Sequence, residues 1–228
     1  MMKYLAFILI TCTATISIAQ QSETREVGSF SGVKAAEAID VYLKKGEKES
    51  VRVEVSSGSP TEVITEVSGS YLKVHMRDNN SRRRDMSVKV YVTYVSINKL
   101  SASSAGSIYS EGTVKANSMD ISGSSAGTID IAIDAETASV SASSAADVEL
   151  RGKARSISVD ASSAGQINAY DLASEKVDAS ASSGGSVKVN VNKELDAHAS
   201  SGGSIRYRGN PDKSITESSS GGSVKKSN

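Results

Sequence analysis

The chain is dominated by a four-residue pattern that returns seven times. Ser103-Ser104-Ala105-Gly106 recurs as Ser124–Gly127, Ser143–Ala146, Ser162–Gly165, Ser182–Gly185, Ser200–Gly203 and Ser219–Gly222, with the first serines 21, 19, 19, 20, 18 and 19 residues apart. Five places after each first serine stands an aliphatic residue: Ile108, Ile129, Val148, Ile167, Val187, Ile205 and Val224. One place before it the residue is always small: Ala102, Gly123, Ala142, Ala161, Ala181, Ala199 and Ser218. Between these marks apolar and polar residues alternate, as in Ile129-Asp130-Ile131-Ala132-Ile133, the period of a strand with one buried face. Glycine in six of the seven copies argues against helix.

One copy is too short to enclose a core, whereas stacked copies bury a continuous column of aliphatics. The fold class expected is therefore all-β: a parallel solenoid with rungs of about 19 residues, spaced by the ~4.8 Å of neighbouring strands. Ser103, Ser124, Ser143, Ser162, Ser182, Ser200 and Ser219 mark its structural corners. Their glycines are expected to supply bend conformations that a β-carbon penalises. The serine hydroxyls are expected to bond main-chain groups at the bend and one another. Composition agrees: with no Trp and only 2 Phe, the chain suits narrow stacked strands better than a bulky core.

The first 19 residues read as a signal peptide. Lys3 gives a positive start, Tyr4 to Ile10 is apolar, and Ser17-Ile18-Ala19 offers the small residues that a signal peptidase reads, which places cleavage before Gln20. The apolar run falls well short of the ~20 residues of a membrane span, so no transmembrane segment is expected in the mature chain. An exported protein follows, periplasmic, outer-surface or secreted. Acylation of Cys12 is the lesser alternative. Cleavage after Ala19 would leave no cysteine in the mature chain and so no disulfide.

Residues 20–228 are expected to form a single solenoid domain. Residues 99–228 hold the repeats. Residues 27–98 alternate as strands in Ile39-Val41-Leu43, Val51-Val53-Val55, Leu72-Val74-Met76 and Val88-Val90-Val92 but lack the serine corner. They read as irregular first coils that shield one end of the stack, with a separate small β-domain as the alternative.

Specific segments resemble a known family. Phe30-Ser31-Gly32-Val33, then Ala38-Ile39-Asp40-Val41-Tyr42-Leu43 with Gly46, then Val51-Arg52-Val53-Glu54-Val55, Tyr71-Leu72-Lys73-Val74 and the seven corners are similar to the auto-transporter adhesin head GIN domains, a family of unknown function in secreted Bacteroidetes proteins. The resemblance implies a right-handed β-helix-like fold. It carries no catalytic residue over to this chain.

Candidate chemistry is sparse. Gly123-Ser124-Ser125-Ala126-Gly127 matches a nucleophile elbow, but the same frame recurs seven times and only His198 follows it, so the corner reading is preferred. His75 and His198 are the only histidines and do not form a zinc-binding cluster. No catalytic, cofactor or metal site is expected. The enzyme alternative is a polysaccharide-processing β-helix using acidic and basic residues of adjacent rungs, with Asp130, Glu149 and Arg151 as neighbours.

Two outward ladders are expected. One reads Tyr109, Asp130, Glu149, Asn168, Lys188, Arg206, Lys225. The other reads Glu111, Ala132, Arg151, Tyr170, Asn190, Arg208. Both become basic toward the C-terminal end, through Lys188, Arg206, Arg208, Lys225 and Lys226, and Lys188, Arg206, Arg208 and Lys225 form the candidate ligand-contact face. Arg82-Arg83-Arg84 is a second basic cluster.

The function expected is that of a non-enzymatic, adhesin-like envelope protein contacting a cell-surface glycan or an envelope protein. Formal net charge is zero, which gives no global attraction for nucleic acid. Ice binding ranks last, for want of regular Thr-x-Thr arrays. Only Ser223 to Asn228 follow the last corner, and no polar cap is expected there. A monomer guarded by Lys225 and Lys226 is favoured. An end-to-end dimer burying Val224 and Ile205 is the alternative.

Overall fold

A computed structural model describes residues 21–77 and 86–227. The signal segment, Cys12 and Arg82–Arg84 lie outside the described residues. No helix among the described residues is long and apolar enough to cross a membrane.

The repeats form a parallel β-solenoid. Each coil is one long bent strand followed by a corner: β9 (Ser107–Gly123), β10 (Thr128–Ala142), β11 (Asp147–Ala161), β12 (Gln166–Ala181) and β13 (Ser186–Ala199). The last coils are broken into β14 (Ser204–Arg208), β15 (Lys213–Ser218) and β16 (Ser223–Lys226). In β10, burial alternates up to Ala135 and resumes at Ala138, and the two consecutive exposed residues, Glu136 and Thr137, mark the bend. Each coil therefore has two arms, one after its corner and one before the next.

Pairing is parallel and in register, so Ile108, Ile129, Val148, Ile167, Val187, Ile205 and Val224 stack in one inward column. The first six are sealed from solvent and Val224 is partly buried. Burying one such side chain is worth about 1.5–3 kcal/mol, and the column repeats that gain coil after coil.

The corners are type I′ turns. Gly127 N–H donates to Ser124 O at 2.9 Å, and Ser125 and Ala126 between them have φ of 48° and 60°. The positive φ thus falls on the second and third corner residues. The expectation that the closing glycine supplies the bend conformation is corrected at Gly127, Gly165, Gly185, Gly203 and Gly222, none of which has positive φ. A β-carbon on Gly127 would stand 2.4 Å from Ala102 O in the preceding coil. Close approach of main chain, not turn conformation, demands glycine there. Main-chain bonds tie corner to corner: Ser124 N–H donates to Ala102 O, and Ala126 N–H donates to Ser144 O, each at 3.0 Å. The hydroxyl ladder expected from the serines is replaced by this main-chain ladder.

An eighth corner carries no serine pair. Glu37 and Ala38, at φ 60° and 58°, turn the chain between β2 (Gly32–Ala35) and β3 (Asp40–Lys45). Ala38 N–H donates to Ser104 O and Ser103 N–H to Ala35 O, so this corner stacks on the first serine corner.

The remaining N-terminal strands are β1 (Gln21–Glu26), β4 (Ser50–Val55), β5 (Val63–Ser68), β6 (Tyr71–Met76), β7 (Val88–Tyr94) and β8 (Lys99–Ala102). They extend the same sheet in an interleaved order. On one arm the order is β1, β4, β7, β3, β9, and on the other β5, β6, β2, β8, β9. The coil formed first in sequence, β2–β3, thus lies between β6–β7 and β8–β9. The β1–β4, β4–β7 and β5–β6 pairings are antiparallel. Arg25 fastens β1 by donating to Val63 O, Pro60 O and Thr65 Oγ1.

At the C-terminal end the first arm's inward column ends in Val224, whereas the inward positions of the second arm stop in polar residues. Ser214, Thr216 and Ser218 of β15 stack on Leu195, Ala197 and Ala199 of β13, and all three are exposed. These three residues precede the last corner, and Val224 follows it. Ile205 is fully buried under Val224, so it is not available to an end-to-end contact.

Candidate binding face

The outward column of the first arm is continuous over ten strands: Arg52, Tyr91, Tyr42, Tyr109, Asp130, Glu149, Asn168, Lys188, Arg206, Lys225. It divides into three chemical segments.

The first is aromatic. Tyr91, Tyr42 and Tyr109 stack with ring centroids 5.3 Å apart, and the Arg52 guanidinium lies 4.3 Å from the Tyr91 ring centre. The rings turn their faces to one another and their edges outward. Burial raises the phenol pKa values of Tyr42 and Tyr91 above the usual value, with Asp40 adding at Tyr42 and Glu54 at Tyr91. A shallow groove lined by Lys44, Arg52, Tyr91, Thr93 and Glu111 runs beside this segment.

The second segment is acidic and neutralised. Arg151 lies 2.5 Å from Asp130 Oδ1 and 3.2 Å from Glu149 Oε1. The three residues of the enzyme alternative are therefore neighbours, and their carboxylates are occupied by one guanidinium, whose own pKa is raised chiefly by its bond to Asp130.

The third segment is cationic. Lys188, Arg206 and Lys225 stand on successive strands in register, with Arg208 in the neighbouring outward column opposite Asn190. None of the four has a carboxylate partner among the described residues. Lys226 departs from expectation: it pairs with Tyr207 on the inward-facing side, and its ammonium donates to Asn210 Oδ1 at 2.6 Å.

The second expected ladder forms only in pieces: Ala132 pairs with Arg151 and Asn190 with Arg208, but the links through Glu111 and Tyr170 are broken. Ala132 pairs with Thr113 instead of Glu111, and Arg151 pairs with Asp171 instead of Tyr170, because β9 and β12 carry register irregularities at these points. The signal was present in the spacing, since the copies with extra residues are those with periods of 21 and 20. The β12 bulge places Tyr170 over the cations. Its ring centre lies 4.0 Å from the Arg208 guanidinium and 6.0 Å from Lys188 Nζ, and its hydroxyl is 2.6 Å from Ser227 Oγ. Bulges of this kind re-aim side chains, and Asn168 Oδ1 accepts from the Tyr170 N–H at 3.4 Å.

The charges at the bend are arranged differently. At the bend, Glu136, Arg155, Glu175 and Lys193 alternate in sign and pair at 3.6, 3.8 and 2.9 Å. Ser125, the residue in the elbow pattern, lies on a strand-to-strand turn four corners before the one that follows His198. His198 itself faces Asp196 and Glu217. Among the described residues no group of three or more His, Cys, Asp or Glu is placed to hold a metal ion.

Stacked coils of about 19 residues, a core of aliphatic columns and a continuous outward ladder define a β-solenoid rod with a segmented face. The chain belongs to the family described as "Putative auto-transporter adhesin, head GIN domain", which matches residues 29–211. A search of curated proteins gave no match. Solved structures share the fold. A "putative adhesin" from Bacteroides fragilis has a TM-score of 0.80 at 21% identity, covering 92% of this chain and 98% of its own. One from Parabacteroides merdae has a TM-score of 0.68 at 15% identity, with 92% and 96% covered. A "putative lipid binding protein" from Parabacteroides distasonis has a TM-score of 0.67 at 20% identity, with 92% and 97% covered.

Proposed function

We propose that this protein is exported and acts at the cell envelope as a non-enzymatic, adhesin-like rod, with its cationic segment as the contact surface. The observation that carries the reading is the run of Lys188, Arg206 and Lys225 in register with no carboxylate partner among the described residues, on a molecule whose ladder of charges at the bend alternates in sign. The adhesin description of the family and the leader-like sequence of residues 1–19 support export and an envelope role. A periplasmic, outer-surface or secreted site is equally compatible with both.

The test uses protein-coated beads and isolated envelope material from a bacterial host. Wild type should retain envelope glycan or envelope protein, and Lys188→Glu with Arg206→Glu should abolish retention. Equal retention by the charge-reversed variant overturns the reading. Release of reducing sugar ends from the same material, lost in Asp130→Asn and Glu149→Gln, would replace it with the polysaccharide-processing alternative.

A further inference from the structure

Resting on that reading, we infer that the cationic segment binds a linear acidic polysaccharide carrying one carboxylate per sugar, a polyuronate, laid along the rod axis. The argument starts from a cost. Like charges directly opposite on paired strands repel, yet Lys188, Arg206 and Lys225 occupy one column on successive strands. At the bend the fold relieves such repulsion with an acid on the next coil, as Glu175 does between Arg155 and Lys193. Here no acid intervenes, which leaves the column open to an anion from outside.

The spacing selects its form. Charges repeat at the strand separation of ~4.8 Å, close to the rise of one residue in an extended uronic acid chain. A polymer with one carboxylate per sugar, whose alternate sugars turn to the same side, can therefore meet Lys188 and Lys225, two strands apart, at once. A single phosphate would satisfy one position and leave its neighbours repelling.

Tyr170 completes the site. The β12 bulge lays its ring against Arg208, and its hydroxyl reaches Ser227 beyond two further coils. Arg208 is thereby held beside the Lys188–Arg206–Lys225 column, a second cation for a polymer of ordinary width. Tyr170 is a positioning residue in this arrangement.

Binding of fluorescent polygalacturonate oligomers to the full chain tests the inference. Wild type should bind, with affinity falling as salt rises. Lys188→Ala/Arg206→Ala/Lys225→Ala should bind at least tenfold more weakly. Lys34→Ala/Lys73→Ala/Lys115→Ala, which removes as many cations elsewhere, should bind as wild type does. Tyr170→Ala should weaken binding and Tyr170→Phe, which keeps the ring over Arg208, should restore it. Neutral dextran serves as the uncharged polymer and lipopolysaccharide vesicles as the phosphate source. Absence of polygalacturonate binding, equal binding of dextran, or equal loss in both triple variants overturns the inference. Vesicle binding without polygalacturonate binding overturns it too, while leaving the broader envelope reading intact.

Discussion

The β-carbon of Ala146 lies 3.1 Å from the point where a β-carbon on Gly123 would stand. Each residue is the exception in its column. Gly123 precedes a corner where the other coils have alanine or serine, and Ala146 closes a corner where the others have glycine. They sit on consecutive coils, joined by the Ser143 N–H bond to Gly123 O. The two departures compensate: the methyl group missing from one coil is supplied by the next.

This exchange makes a reciprocal prediction. Gly123→Ala alone should destabilise by about 1–3 kcal/mol through overpacking. In an Ala146→Gly background the same change should be nearly neutral, because the double variant rebuilds the Ala142 and Gly165 pairing of the neighbouring coils. Urea unfolding of the four proteins gives the coupling. Additive effects of the two changes would refute the compensation.

Adjacent glycines at one corner should respond differently. Gly184 has φ of 74° and open space around it, whereas a β-carbon on Gly185 would stand 2.2 Å from Ala161 O. Gly184→Ala should therefore lose only the left-handed backbone preference, about 1 kcal/mol, as Ala164 already accepts that conformation one coil earlier. Gly185→Ala must push main chain from main chain and should lower the thermal midpoint far more. Equal midpoints for the two would contradict the division of labour within the turn.

Charge on the bend edge should shape the acid limb of stability. The Glu175 carboxyl is held below its ordinary value of 4.5 chiefly by the Lys193 bond, and that of Glu194 by Lys176. With the folded value depressed, the unfolded chain takes up protons first as pH falls, so this contribution is present above the ordinary value and is lost on acidification through the lowered one. Glu194 is exposed and Glu175 half-buried at the surface, and salt should screen the effect. Glu175→Gln with Glu194→Gln should give a flatter stability profile below about pH 5. A profile identical to wild type in low salt would exclude these pairs as contributors.

The repeat made the solenoid legible because one strong period aligns every inward aliphatic, from Ile108 to Val224. The outward ladder through Lys188, Arg206 and Lys225 was legible for the same reason, since register carries outward neighbours along with inward ones. Three things were hidden. The corner at Glu37 and Ala38 lacks serine, and φ depends on how the chain is held more than on which small residue stands there. The interleaving of β2–β3 between later strands is a long-range choice that local pattern does not encode. Tyr170 was misassigned because constant counting from each corner ignores a bulge, although the 20-residue interval announced one.

The polar end of the second arm's inward positions yields the last prediction. Ser214, Thr216 and Ser218 continue the positions of Leu195, Ala197 and Ala199, so β15 meets solvent with hydroxyls where earlier coils bury apolar groups. Among the described residues β15 has β13 as its strand partner on one side and none on the other. Its unpaired edge is open to another strand, but a second chain would find hydroxyls on the inward side and only the outward Ile215 as an exposed large apolar side chain on β15, and main-chain pairing with so little burial is marginal. Lys226 adds a charge on the same inward-facing side. We expect wild type to remain monomeric at high concentration by light scattering. Ser214→Val with Thr216→Val should create an apolar end and drive concentration-dependent association. Lys225→Val removes an outward charge of the cationic column and should leave the mass unchanged. Association by Lys225→Val but not by the Ser214/Thr216 variant would mean that an outward lysine, rather than the hydroxyls of the last coil, guards the end of the rod.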